Sequence, residues 1–168
     1  GIWIKCNAIV DCNIIDKLYE ASCAGVSIEI IARGICCLRP GIDGLSENIT
    51  VRSIVGRYLE HGRIFAFANG GKFGSSKNMV FMSSADLMPR NLLRRVEMFV
   101  QLENPTVRKQ VINQILTATL RDEKNSWFLN SDGSYRHPAT GPDSFSAHDY
   151  FITNPSLSGA GSLAKETR

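Results

Sequence analysis

The sequence predicts an α/β domain in which a mixed β-sheet is flanked by helices. Residues 2–8 and 26–32 are predicted strands, and the segment between them carries apolar residues at helical spacing. A strand, a helix and a second strand with short connections form a right-handed crossover, so the two strands are expected to be parallel neighbours. Two later apolar runs, residues 60–67 and 78–84, flank a Gly/Ser-rich turn and are expected to form a hairpin. At 168 residues and 43% hydrophobic composition, the chain is long enough for one domain with a substantial core.

Capping residues and turn signals define the other elements. Asp11 is placed to cap the first helix, and Gly25 ends it. A third strand is predicted at residues 50–55 and another at about 94–101, with two arginines at the start of the latter. Asn104, followed by a proline at the first helical position, opens a long helix with one apolar face.

The domain organisation follows from the point at which helical periodicity fades, beyond Arg121. We expect one domain over residues 1–124 and an extension over residues 125–155 that packs on it. The tail over residues 156–168 is small and polar, and we expect it to be flexible. Because the chain opens at Gly1 with a strand-like sequence, we expect it to be a piece of a longer protein.

Composition favours an ordinary cytoplasmic domain. No apolar run approaches the roughly 20 residues that span a bilayer, and the chain does not open with a basic segment followed by an apolar one. The five cysteines are an odd number and include an adjacent pair, so they make a poor disulfide framework. No Cys/His spacing resembles a zinc site, and we expect no metal site on this chain.

Positive charge is concentrated in the middle of the chain. Ten of the 19 Lys and Arg residues, but only four of the 16 Asp and Glu residues, lie between Arg33 and Arg95. This segment also contains a single histidine, His61, and several glycines. Guanidinium groups next to an imidazole, with backbone N–H groups exposed at glycines, are suited to holding phosphates and moving one of them.

The histidine belongs to a short pattern on a predicted strand. His61 and Arg63 alternate, so they are expected on one face of the strand and Glu60 on the other. By itself such a pair is more typical of a protein surface than of a catalytic site. The next strand, however, ends in the sequence SSAD at residues 83–86. The combination resembles the HxK(x)nGSxN signature of phospholipase D-like phosphotransferases, with Arg63 in place of the lysine and Asp86 in place of the asparagine.

Arg33 is a second candidate because it directly follows a buried strand. In open α/β sheets, ligands bind beyond the carboxyl ends of the strands, and a charge placed there needs a partner. A phosphate is one such partner, and a surface carboxylate such as Glu47 is another. Arg63, Ser84 and Arg90 are candidates for supporting phosphate contacts, although the arginines after residue 89 fit a solvated face equally well. No P-loop pattern is present.

Two further histidines lie in the C-terminal part of the chain. His137 is in a turn-rich stretch and His148 is near the start of the tail. We expect both to be exposed and without a functional role.

Three long motifs span roughly residues 14–97. In order, they are IIDKLYEASCAGVSIEIIARGICCLRPG, GLSENITVRSIVGRYLEHGRIFAF and SSADLMPRNLLRRVE. Together they closely resemble the C-terminal catalytic domain of bacterial polyphosphate kinase, which has a phospholipase D-like fold, and they depart from the family pattern at Leu87 and Leu93.

The resemblance implies reversible transfer of the terminal phosphate of ATP to polyphosphate through a phosphohistidine. That phosphohistidine and the residues that hold Mg²⁺ belong to the preceding domain of the family, so this chain would supply half of an active site and be inactive alone. Arg33 matches an arginine that contacts the ATP phosphates, and His61 matches a second essential histidine that also contacts ATP. The implied partners are ATP or ADP, polyphosphate, the rest of the same polypeptide and further copies in a homo-oligomer, with no nucleic acid.

Two other functions stay open at this point. One is half of a phospholipase D-like nuclease or phosphatidyltransferase, for which a true GSxN and a second HxK motif are expected. The other is a non-catalytic module that binds polyanions such as nucleic acid through the basic segment.

Overall fold

The computed structural model of the chain describes residues 1–154 and shows one mixed sheet of eight strands. The strands are β1 (Ile2–Cys6), β2 (Ile28–Ala32), β3 (Ile49–Ile54), β4 (Ile64–Phe67), β5 (Met79–Ser83), β6 (Phe99–Gln101), β7 (Ser126–Leu129) and β8 (Tyr135–Arg136). Their order in the sheet is β6-β5-β4-β1-β2-β3-β7-β8. The helices are α1 (Cys12–Cys23), α2 (Pro89–Arg94), α3 (Pro105–Gln110), α4 (Thr117–Arg121) and α5 (Ala147–Thr153), and a π-helical turn (Val111–Leu116) joins α3 to α4.

The parallel centre of the sheet is the predicted strand–helix–strand unit. β1 pairs with β2 in parallel, from Ile2 opposite Ile28 to Cys6 opposite Ala32, and β3 continues the parallel arrangement. The Asp11 side chain accepts a hydrogen bond from the backbone N–H of Ile14 at 3.1 Å, which caps α1 as predicted.

Helices cover both faces of the sheet because the strands alternate apolar side chains between two cores. On one face, α1 packs against a cluster that includes Ile4 and Ile30. On the other face, Trp3 packs with the π-helical turn, whose Ile112 and Leu116 are buried. Asn104 caps α3 by accepting from two backbone N–H groups, as predicted. The fold is therefore α/β with a mixed sheet between helices.

Two predicted strands were too long by four or five residues. The pairing of β4 with β1 begins at Lys5 opposite Ile64, so residues 60–63 lie in a loop before the strand and not on it. The strand predicted at about 94–101 covers only Phe99–Gln101, because Arg94 is the last residue of a helix and pairing with β5 is limited to residues 99–101. Pro89 starts that helix after an extended Met88, and proline is well suited to the first helical position.

The C-terminal part of the described chain extends the sheet. β7 pairs antiparallel with β3, and β8 pairs with β7. The helix α5 packs on α4 through Tyr150 and Ala118. The predicted boundary at residue 124 stays a prediction, and the predicted tail over 156–168 lies outside the described residues. None of the helices within residues 1–154 is both long and apolar enough to cross a membrane.

Candidate functional site

The register of the sheet brings several chain ends together at one edge. Cys6, at the end of β1, lies opposite Ala32 at the end of β2. The start of β4 is beside the same end of β1, and the end of β5 is beside the start of β4. The residues that follow β1, β2 and β5 and those that precede β4 therefore emerge at the same end of the sheet, beyond the carboxyl ends of the parallel strands.

Arg63 and Asp86 form a paired contact at this end. The Arg63 Nε donates to one carboxylate oxygen of Asp86 at 3.0 Å, and its Nη2 donates to the other at 2.7 Å. Asp86 is 2% exposed and also accepts from the backbone N–H groups of Asn7 at 2.8 Å and Ala8 at 3.3 Å. Arg63 and Asp86, which stand in place of the lysine and the asparagine of the HxK…GSxN signature, are thus partners of each other, and Asp86 ties β5 to the end of β1.

These contacts keep the pair ionised. Burial opposes the charge of Asp86, but the hydrogen bonds from Arg63 and from the N–H groups of Asn7 and Ala8 together hold the pKa of this carboxyl below its ordinary value. The hydrogen bond with Asp86 raises the pKa of Arg63 further above its already high value. Charge-assisted, two-pronged pairs of this kind have a fixed geometry.

His61 is positioned by the same arginine. The Arg63 Nη2 lies 3.1 Å from His61 Nε2, and its Nη1 donates to the backbone carbonyl of His61 at 3.2 Å. Because a guanidinium only donates, the His61 Nε2 accepts in this contact. The His61 side chain is exposed, so the ring is held at the protein surface by a guanidinium that is itself anchored.

Arg33 lies at the same end of the sheet but is paired differently. Its Nε donates to the Asn7 side-chain oxygen at 2.8 Å, and it forms no ion pair with Glu47 or with any other carboxylate among residues 1–154. Its Nη1 is buried and has no hydrogen-bond partner in the described structure. A buried cationic donor without a partner is costly unless an anion satisfies it, so this atom fits a phosphate oxygen.

A continuous series of contacts links the two main candidates. Arg33 donates to the Asn7 side chain, the Asn7 N–H donates to Asp86, Asp86 pairs with Arg63, and Arg63 contacts the His61 ring. The structure thus brings Arg33 and His61 to one edge of the sheet, 28 positions apart in sequence.

The two other candidates have different surroundings. The Ser84 hydroxyl donates to Glu97 at 2.5 Å and accepts from the Met98 N–H at 3.0 Å, so its hydrogen-bonding capacity is largely used within the protein. Arg90 is exposed in the first turn of α2 and makes no hydrogen bond or ion pair with the part of the chain that the structure describes.

The prediction that His148 is exposed was wrong. It is 3% exposed, and its Nε2 lies 3.0 Å from Glu60 Oε1. The other oxygen of Glu60 is 2.7 Å from the Nζ of the buried Lys5. The prediction failed because a histidine on a short C-terminal helix shows no local sign of burial when its partners, Glu60 and Tyr58, are 88 and 90 positions away. His137 is exposed, as predicted.

The described residues offer no metal site. No group of three or more His, Cys, Asp or Glu side chains within residues 1–154 is arranged to hold a metal ion.

Comparison with known proteins identifies the family. The model of the family described as "Polyphosphate kinase C-terminal domain 2" matches residues 1–148. This chain belongs to that family. The three sequence motifs had predicted it, and the phospholipase D-like α/β fold is confirmed as well.

Individual relatives agree with the family model. The polyphosphate kinase of Erythrobacter litoralis (strain HTCC2594) is 56% identical over 161 residues, which cover 96% of this chain and 22% of the relative. That of Synechocystis sp. (strain ATCC 27184 / PCC 6803 / Kazusa) is 49% identical over 149 residues, or 88% of this chain and 20% of the relative. The crystal structure of polyphosphate kinase from Porphyromonas gingivalis superposes with a TM-score of 0.83 at 37% identity, covering 92% of this chain and 23% of that one. The chain therefore spans about a fifth of the length of the relatives that it matches.

Proposed function

We propose that this chain forms half of the active site of a polyphosphate kinase, an enzyme that reversibly transfers the terminal phosphate of ATP to inorganic polyphosphate. The transfer passes through a phosphohistidine carried by a preceding domain. The observation that carries the proposal is the series of contacts from Arg33 to His61, which starts at a buried cationic donor without a partner and ends at an exposed imidazole. Family membership favours this function over a phospholipase D-like nuclease and over a polyanion-binding module.

Arg33 neutralises phosphate charge in this proposal. In phosphoryl transfer the protein mainly positions the reactants and stabilises charge on the phosphate oxygens. Arg33 has no carboxylate partner within residues 1–154, so its charge is available to an anion. Its Nη1, which lacks a partner in the described structure, provides the directed hydrogen bond.

His61 acts on the leaving group. When the bond between the β- and γ-phosphates of ATP breaks and the γ-phosphoryl group moves to the nucleophilic histidine, negative charge develops on the β-phosphate oxygen of ADP. The His61 ring, whose Nε2 accepts from Arg63, donates a hydrogen bond from Nδ1 to that oxygen and stabilises its charge in both directions of the transfer. Arg63 holds the ring in place through its contact with His61 Nε2.

The remaining parts of the proposal concern the complete protein. Arg63, Ser84 and Arg90 make supporting phosphate contacts. Of these, Arg90 is the most available, because its side chain is exposed and makes no hydrogen bond or ion pair within residues 1–154, whereas the other two are held by Asp86 and Glu97. Mg²⁺, which neutralises phosphate charge, is held by residues of the preceding domain. ATP or ADP and polyphosphate are the substrates, nucleic acid is not a ligand, and the complete enzyme is a cytoplasmic homo-oligomer.

The test is the kinetics of two variants of the complete protein. His61→Gln is expected to lower the rate of polyphosphate synthesis by about a hundredfold or more, since loss of a correctly placed hydrogen-bond donor to a developing oxyanion costs a factor of that order, with little change in melting temperature. His137→Gln is the matched control, because His137 is an exposed histidine outside the site. Wild-type rates for His61→Gln would overturn the proposal.

The chain alone provides a second test. Its two cores indicate that it folds, but the nucleophile is carried elsewhere, so we expect weak, salt-sensitive binding of polyphosphate and no ATP-dependent chain growth. Incubation of the 168-residue chain with ATP and Mg²⁺ measures this directly. Robust polymer synthesis would show that the half-site assignment is wrong.

A further inference from the structure

We propose that His148, on the C-terminal helix α5, is a positioning residue for His61. It holds Glu60, and with Glu60 the loop over residues 55–63, in the arrangement that places His61 at the site. The inference rests on the proposed function for its effect on catalysis, but the structural part stands on its own contacts.

The loop has few backbone contacts of its own. At its start, the Val55 N–H donates to the Asn125 carbonyl at 2.9 Å, and at its end the Ser83 N–H donates to the Arg63 carbonyl at 3.1 Å. Between these two anchors the structure shows no backbone-to-backbone hydrogen bond from the loop to the rest of residues 1–154. The conformation of residues 56–62 therefore depends on side-chain contacts.

Glu60 supplies the central side-chain contact, and it is held from two directions. One carboxylate oxygen pairs with Lys5 of β1 at 2.7 Å, and the other lies 3.0 Å from the Nε2 of His148 on α5. Lys5 and His148 are 5% and 3% exposed, so both contacts are shielded from water. Since Glu60 directly precedes His61 in the chain, fixing its carboxylate between the sheet and α5 restrains the backbone that carries the proposed catalytic ring.

His148 contributes a second contact to the same loop. The backbone N–H of Tyr58 donates to His148 Nδ1 at 3.4 Å, and the two rings meet edge-on with centroids 5.5 Å apart. Because Nδ1 accepts there, a neutral ring carries its proton on Nε2, where it is donated to Glu60. One imidazole thus accepts from the loop backbone and donates to the loop carboxylate.

Gly56 shows how closely the loop approaches this histidine. A Cβ atom at Gly56 would lie 2.5 Å from His148 Nδ1 and 2.9 Å from the Asn125 side-chain oxygen, so any other residue there would have to displace the His148 ring or the loop. A Cβ atom at Gly62, in the same loop, would meet only the Lys5 Nζ, at 3.8 Å, which is an ordinary contact. Close packing on His148 is therefore a specific property of one side of the loop.

The experiment uses the complete protein with His148→Leu and His148→Gln. Leucine removes both contacts, whereas the glutamine amide still donates to Glu60. We expect His148→Leu to lower kcat by about tenfold to a hundredfold, as displacement of a catalytic group does, with KM for ATP nearly unchanged because Arg33 is untouched. His148→Gln is expected to recover most of the lost kcat. Hydrogen exchange in peptides covering residues 55–63 should accelerate in His148→Leu and not in His148→Gln.

Controls separate positioning from general loss of stability. Ile112→Val removes a methyl group from the core on the face of the sheet opposite α1. It should leave both kcat and hydrogen exchange in the loop unchanged. Gly56→Ala should accelerate exchange in the loop as His148→Leu does, whereas Gly62→Ala should not.

Three outcomes overturn the inference: wild-type kcat in His148→Leu, unchanged loop exchange in that variant, or an equal loss of kcat in His148→Gln. Failure of the proposed function gives a different result. In that case His61→Gln retains activity, while loop exchange still reports whether His148 holds the loop.

Discussion

Arg33 and Arg63 lie at the same end of the sheet, yet their surroundings are opposite. Arg63 contacts both oxygens of a buried carboxylate and the ring and carbonyl of His61. Arg33 makes a single side-chain hydrogen bond, to a neutral amide, and has a buried Nη1 with no partner among residues 1–154. The charge of Arg63 is neutralised within the protein and serves to position its neighbours, whereas the charge of Arg33 remains available to a ligand.

The difference has an energetic consequence. A buried ion pair loses stability sharply when one partner is removed, because the other charge is left uncompensated. A cation without a protein counter-charge instead costs stability in the absence of its ligand, which is a common property of binding sites. Substitutions in the Arg63–Asp86 pair should therefore change the free energy of unfolding, whereas substitution of Arg33 should change the binding and use of the ligand.

The largest expected effect is that of Asp86→Ala. The substitution leaves Arg63 without its carboxylate and the N–H groups of Asn7 and Ala8 without their acceptor. We expect the free energy of unfolding to fall by about 3–5 kcal/mol, measured by urea denaturation of the 168-residue chain. Asp16→Ala, at an exposed position of α1, is the matched control and should change it by less than about 0.5 kcal/mol. An equal loss in both variants would contradict a special role for the Arg63 pair.

Arg33→Ala should affect substrate use and not folding. Loss of a charge-assisted contact to phosphate is expected to lower kcat/KM for ATP in the complete protein by about 30-fold, equivalent to about 2 kcal/mol. The free energy of unfolding should change little, since only the hydrogen bond to Asn7 is lost. Steady-state kinetics at varied ATP measure the effect. A large loss of stability with normal kinetics would reverse the roles assigned to the two arginines.

Acid should remove the part of the free energy of unfolding that the ionised Asp86 contributes through its pair with Arg63. Because the pKa of Asp86 in the folded protein lies below its ordinary value, its ionised form contributes stability above a pH of about 4, and this stability is lost as the pH falls towards the lower folded value. Urea denaturation between about pH 5 and about pH 2.5 should show a steeper loss for the wild type than for Asp86→Asn, which cannot ionise there. If the free energy of unfolding fell equally with pH in the two proteins, the ionised Asp86 side chain would not be the source of the pH-dependent stability.

Arg90→Ala should have the smallest effect. The side chain is exposed and makes no hydrogen bond or ion pair within residues 1–154, so the free energy of unfolding should change by less than about 0.5 kcal/mol. Affinity for polyphosphate should fall only a few-fold at low salt, and the difference should vanish at high salt. Salt titrations of binding measure this, and an effect as large as that of Arg33→Ala would place Arg90 in the site itself.

Much of the fold was predictable from local sequence. The capped helix α1 between two apolar strands and the Gly/Ser-rich hairpin were predicted because helical and strand periodicity and turn residues are local properties. Elements with weak local signals were missed. The helix α2 was not predicted, and only its last residue, Arg94, was placed in a strand. β7 and β8 lie where periodicity had faded, since their strand conformation depends on the pairing of β7 with β3 and of β8 with β7.

The arrangement of the candidate residues was predicted only in part. Arg33 and His61 were selected as candidates because motifs surround them, and the topology of parallel strands places the ends of such strands at one edge. The assignment of Arg63 and His61 to strand positions was wrong, because the strand begins at Ile64. Their proximity comes instead from the hydrogen bonds that Arg63 makes to Asp86 and to His61.

The sequence by itself determined the family, the α/β class and the order of the main elements, because periodicity, capping and long motifs are encoded in neighbouring residues. Tertiary structure alone decided which charges are neutralised. Asn7 meets Asp86 across 79 positions and Glu60 meets His148 across 88, and no local pattern encodes such pairs. Which side chains form ion pairs and hydrogen bonds depends on which of them meet at the buried edge of the sheet once it has formed. Because an uncompensated charge is costly at such an edge, charges that find a partner stabilise the site, and a charge without one remains free for a ligand.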